Sequence, residues 1–128
     1  MNKKVLVIDD DSEFVDAMTN VLDAKGYDVD SAPNGKDGIA KAREQKPNII
    51  LLDVMMTTKT EGFDIARELK KDKQLKDIPI VMITGVRREM SLPFGFEPDD
   101  TWLPVKSVLE KPVRPDILLK TVEENILV

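Results

Sequence analysis

A chain of 128 residues, 41% hydrophobic and 34% charged, has the size and balance of one soluble globular domain with one hydrophobic core. It holds no cysteine and no histidine, which excludes disulfides, thiolate chemistry, cysteine-based zinc sites and imidazole bases. Any chemistry must therefore run on carboxylates, hydroxyls and lysines. The net charge of −5 argues against nucleic-acid and membrane-surface partners, no run suits a membrane span or a leader, and the cysteine-free composition fits the cytoplasm.

Short apolar runs alternate with amphipathic stretches along the chain. Val5-Leu6-Val7-Ile8 is apolar throughout, as a parallel strand covered on both faces should be. Phe14, Val15, Met18, Val21 and Leu22 follow at the i, i+1, i+4, i+7, i+8 spacing of one helix face. Asp11 or Ser12 is positioned to cap that helix, and Gly26 to stop it. Asp28 to Ala32 reads as a short, partly polar strand near a sheet edge. Lys36 to Gln45 reads as a second helix with Ile39, Ala40 and Ala42 inward, and Pro47 ends the loop after it. Asn48 to Asp53 is the strand with the most buried character. A third helix, Gly62 to Lys71, packs through Phe63, Ile65, Ala66 and Leu69, and Ile78 to Ile83 is a fourth strand.

Beyond Gly85 the pattern weakens, and Leu92 to Pro104 carries three prolines without clear periodicity. Order resumes with a strand at Ser107 to Glu110 and a last helix from Pro115 to Ile126. Pro115 suits a first helical turn, where its missing N–H costs little. No repeat, low-complexity tract or linker divides the chain, so residues 1–128 are expected to form a single domain. Alternating strands and helices imply a mostly parallel sheet, right-handed crossovers and helices on both faces, an α/β sandwich of three layers.

In such a sheet, ligands bind beyond the carboxyl ends of the strands. The first strand ends in Asp9-Asp10-Asp11, the third in Asp53, the fourth in Thr84-Gly85 and the fifth in Lys111-Pro112. Acid, hydroxyl and amine are thus delivered to one edge. Asp9, Asp10 and Asp53 should crowd there; two carboxylates about 4 Å apart repel by roughly 4 kcal/mol at an effective dielectric near 20. A hard divalent cation relieves that repulsion, and Mg²⁺ suits carboxylate, carbonyl and water oxygens. Each residue alone has a plainer use: acids cap helices, Thr-Gly makes turns and lysines sit in solvent.

Taken in order, these motifs resemble the receiver domains of bacterial two-component response regulators, over essentially the whole chain. The resemblance implies a flavodoxin-like, doubly wound, five-stranded parallel sheet in the order 2-1-3-4-5 with helices on both faces, while the weak pattern of this sequence beyond Gly85 predicts a fourth helix that is short or irregular. It implies that Asp53 accepts a phosphoryl group from a histidine kinase or phosphotransfer protein. Asp10, Asp53 and the backbone carbonyl of Met55 would bind Mg²⁺ directly, and Asp9 through water. Thr84 and Lys111 would contact phosphoryl oxygens, and the Lys111–Pro112 bond would be cis.

The sequence also departs from the family. The loop after Asp53 lacks the usual proline and is one residue longer. The positions that help orient a hydrolytic water correspond to Met55 and Val86, both apolar, which implies slow self-dephosphorylation. The aromatic that commonly precedes the lysine by three positions is replaced by Val108. Phe94, Phe96 and Trp102, in the Leu92–Pro104 segment, either fill the core or form a surface for a downstream target or a homodimer. Three other functions compete. A haloacid-dehalogenase-type phosphatase would use Asp9 and Asp11; a pseudo-receiver would bind partners without phosphate; a flavodoxin would want a less acidic first loop. No output domain follows, so the protein either acts alone or is part of something longer.

Overall fold

A computed structural model of the chain describes residues 3–53, 61–84 and 105–126. The elements run β1 (Lys4–Ile8), α1 (Ser12–Asp23), β2 (Asp28–Ala32), α2 (Gly35–Gln45), β3 (Ile49–Asp53), α3 (Glu61–Lys71), β4 (Ile80–Thr84), β5 (Ser107–Glu110) and α4 (Pro115–Asn125). The five strands form one sheet in the order β2-β1-β3-β4-β5, and every pairing is parallel. This is the flavodoxin-like order that the resemblance implied. The partly polar β2 lies at one edge, as its composition predicts.

Alternation along the strands divides the core in two. Leu6, Ile8, Ile50, Leu52, Ile80 and Met82 face α2 and α3, where Ile39, Ala42, Ile65, Ala66 and Leu69 meet them. Val5, Val7, Ile49, Leu51, Val81 and Ile83 face α1 and α4, against Val15, Met18, Leu22, Leu118 and Val122. Both faces are covered, which is why β1, β3 and β4 are unbroken apolar runs. Each such side chain stabilises the fold by about 1.5–3 kcal/mol on burial.

The element ends follow from local chemistry. Asp11 caps α1, its carboxylate accepting from the Glu13 and Phe14 N–H groups at 3.1 and 3.2 Å. Gly26 takes φ +90° in the turn beyond that helix, a conformation that suits glycine. Asn34 caps α2 through the Asp37 N–H at 2.8 Å, and Lys46 closes it in the left-handed region before Pro47. Pro115 occupies the first turn of α4.

Two expectations need correction. Pairing in β4 begins at Ile80 rather than Ile78, because the Ile78 N–H is taken by the Leu75 carbonyl in the preceding turn and Pro79 has no N–H to offer. Ala40 is exposed; the inward face of α2 is Gly35, Gly38, Ile39 and Ala42, and Ala40 is rotated off it. The Phe63 side chain and the Leu92–Pro104 segment lie outside the described residues, as does any helix between β4 and β5.

Candidate functional site

All five strands run the same way, so the residues that end them collect along one edge of the sheet. Asp9 directly follows β1 and donates its N–H to the Ala32 carbonyl at 3.0 Å. Asp53 ends β3, Thr84 ends β4 and Lys111 follows β5. The register brings them together: Ile8 lies opposite Leu52, Asp53 opposite Ile83, and Thr84 opposite Glu110. Asp9 is therefore beside Asp53, and Thr84 and Lys111 each come one step further on. The Lys111 N–H donates to the Thr84 carbonyl at 2.7 Å, which fastens the start of this turn to β4. In the alternation of the strands, Asp9, Asp53 and Lys111 keep step with Val7, Leu51 and Leu109, on the side of α1 and α4.

Asp9, Asp53 and Thr84 are only 3%, 4% and 2% exposed. Charged side chains are rarely that buried without compensation. Part of it is Lys111, whose Nζ lies 3.0 Å from Asp9 Oδ2 and 3.9 Å from Asp53 Oδ1. Asp9 Oδ1 accepts from the Asp11 N–H at 2.9 Å. Asp9 Oδ2 is buried and has no hydrogen bond directed at it, so the ammonium meets it as an ion pair alone. The Lys111–Pro112 peptide bond is cis.

Asp9, Asp10 and Asp53 each bring a carboxylate oxygen within 4.8 Å of the others, Asp10 from an exposed position. Among the described residues, these three carboxylates and one ammonium sum to two net negative charges. A buried carboxylate oxygen without a hydrogen bond and a surplus of hard anionic donors fit a hard divalent cation. Of the sequence-predicted residues, Asp9, Asp10, Asp53, Thr84 and Lys111 converge. Met55 and Val86 lie outside the described residues. Asp11, which a haloacid-dehalogenase-type enzyme would use beside Asp9, is exposed and engaged as the cap of α1.

One neighbour escaped the sequence reading. The ammonium of Lys111 stands 4.3 Å from the centroid of the Phe14 ring. Phe14 falls in the helical apolar pattern of α1, where it reads as core. Nothing in local sequence signals a contact with a residue beyond β5.

A parallel sheet of this order, with acid, hydroxyl and amine at its carboxyl edge, has the architecture of the receiver class of signalling domains. The response regulator receiver domain family matches residues 5–123, and the chain belongs to that family. It is 33% identical over 119 residues to Protein PilH of Pseudomonas aeruginosa, covering 93% of both chains. It is 37% identical over 97 residues to the alkaline phosphatase synthesis transcriptional regulatory protein PhoP of Bacillus subtilis, covering 76% of this chain but 39% of that protein. Among solved structures, the chemotaxis response regulator CheY4 of Vibrio cholerae superposes with a TM-score of 0.80 at 28% identity, over 98% of this chain and 100% of that one. The chain is thus a receiver domain of two-component response regulators. Among the described residues no helix is long and apolar enough to cross a membrane.

Proposed function

We propose that Asp53 is the phosphoacceptor of this receiver, taking a phosphoryl group from a histidine kinase or phosphotransfer protein with Mg²⁺ bound at the acidic edge. The observation that carries this reading is the meeting of three carboxylates within 4.8 Å with Lys111 Nζ 3.0 and 3.9 Å from two of them. An Asp53 oxygen attacks phosphorus, and the P–N bond to the donor imidazole breaks as the acyl phosphate P–O bond forms. The imidazole nitrogen leaves with the bond's electron pair. Lys111 pairs with one phosphoryl oxygen and the Thr84 hydroxyl donates to another. Asp10, Asp53 and the Met55 carbonyl would hold Mg²⁺, with Asp9 acting through water. When bound, the ion neutralises the clustered carboxylates and the charge on the transferring group. Apolar Met55 and Val86 offer no polar group to orient an attacking water, so the phosphoryl-aspartate hydrolyses slowly. The protein then acts in the cytoplasm as a single receiver unit that signals by docking, on a target or on a second copy, rather than by turning over a substrate.

Intact mass after incubation with a small phosphodonor and Mg²⁺ tests this directly. One phosphoryl adduct is expected on the wild type, and none on Asp53→Asn or without Mg²⁺. A phosphorylation-independent binding module is the second reading. Its support is Val108, which packs half-buried against the α2–α3 side of the core where receivers commonly carry a mobile aromatic. Mg²⁺ binding without any adduct would favour it.

A further inference from the structure

The Phe14–Lys111 contact belongs to a closed ring of contacts. Asp9 Oδ1 accepts from the Asp11 N–H at 2.9 Å, and Asp11 Oδ1 accepts from the Phe14 N–H at 3.2 Å. The Phe14 ring faces the Lys111 ammonium at 4.3 Å, and that ammonium returns to Asp9 Oδ2 at 3.0 Å. Asp9 thus holds the amine that the ring touches directly, and the backbone that carries the ring through Asp11. Phe14 itself is half-buried against the α1–α4 side of the core, so its ring is held by packing.

We propose that Phe14 is a positioning residue for Lys111, holding its ammonium over the acidic edge by a cation–π contact in readiness for a phosphoryl oxygen. This rests on the reading of Asp53 as the phosphoacceptor. A lysine stem has four rotatable bonds, and the ion pairs with Asp9 and Asp53 both draw its amine toward the acidic edge. The ring face attracts the ammonium from a second direction. It does so without a formal charge, so it repels an incoming phosphoryl group, and competes with it for the ammonium, far less than a further carboxylate would.

Fluorinated phenylalanines test this, because they keep the ring's shape while draining the negative potential of its face. With one to three fluorines at position 14, the rate of phosphorylation by a small phosphodonor should fall stepwise, by about two- to fivefold at the end of the series. In a Lys111→Ala background the residual rate should not respond to fluorination. Phe14→Leu should show the full loss and Phe14→Trp should recover the wild-type rate. Independently of phosphorylation, the ring should shift the Lys111 ε-methylene proton resonances upfield, and Phe14→Leu should abolish that shift. A wild type that takes up phosphate while the fluorine series stays flat would overturn the positioning role and leave Asp53 standing. Unshifted Lys111 resonances in the wild type would do the same. A wild type with no adduct at all would fail the phosphoacceptor reading and the inference with it.

Discussion

Asp53 shares its pocket with two other carboxylates, and a sequence selected only for stability would not gather them. Lys111 offsets part of that charge, at 3.0 Å from Asp9 and 3.9 Å from Asp53, and the three carboxylates offer the donors a hard cation would need. Such stored repulsion is typical of functional sites. Asp10 is the member best suited to a test, since it is exposed and can change without disturbing packing. In Mg²⁺-free buffer Asp10→Asn should gain about 0.5–1 kcal/mol, by relief of like-charge repulsion. At a Mg²⁺ concentration a hundred times the wild-type Kd, the ion should stabilise the wild type by about 2.7 kcal/mol. A variant binding about tenfold more weakly would gain only about 1.4 kcal/mol under the same conditions. Thermal melts with and without Mg²⁺ read both effects, and an unchanged Mg²⁺ increment would remove Asp10 from the ligand set.

At the scale of elements, the packing of β1 depends on how closely α2 lies on it. A Cβ built at Gly38 would come 2.5 Å from Ile8 Cδ1 and 2.8 Å from Ile8 Cγ1. Ile8 is fully buried and immediately precedes Asp9, so it has no open space to retreat into. Gly38→Ala would gain about 1 kcal/mol of helix propensity. It would lose about 1–3 kcal/mol to overpacking. The net expectation is destabilisation by about 1 kcal/mol, a Tm lower by about 3–5 °C. Calorimetry of the variant checks it; an equal or higher Tm would mean that α2 can move off the sheet.

For the molecule as a whole, the open edge of the sheet adds a pH dependence. Gln45 and Lys41 of α2 reach over β2 to the Asp30 carboxylate, at 2.6 and 3.0 Å. The Gln45 hydrogen bond, with help from Lys41 and the Ser31 N–H, holds the Asp30 carboxyl below its ordinary range despite partial burial. The folded value lies below the unfolded one, so this carboxyl's contribution is whole above the unfolded pKa of about 3.9 and fades as pH falls through the folded value. Gln45→Ala should therefore lower stability most at neutral pH, with the difference from wild type shrinking below about pH 4. Urea melts at several pH values measure this. A difference that stays constant would unlink Asp30 protonation from the edge.

Much of this protein is legible in its residues alone. Val5 to Ile8 and Ile49 to Leu52 are apolar at every position because both sheet faces are covered, and that pattern needs no partner to be read. Asp9, Asp53, Thr84 and Lys111 could be gathered on paper, because parallel strands must end at one edge. What periodicity cannot supply is the identity of the neighbour across a gap in the chain. Ala40 carries no strong preference, and the packing of Gly35, Gly38, Ile39 and Ala42 on the sheet leaves it facing out. Pairing at Ile80 depends on a turn that takes the Ile78 N–H. The pairing of Phe14 with Lys111 exists only once the fold brings the Lys111 side chain, from beyond β5, to α1. Short-range sequence determined which residues form elements and which carry charge; tertiary packing decided which of those charges meet, because Coulomb and cation–π interactions depend on distance in space and not along the chain.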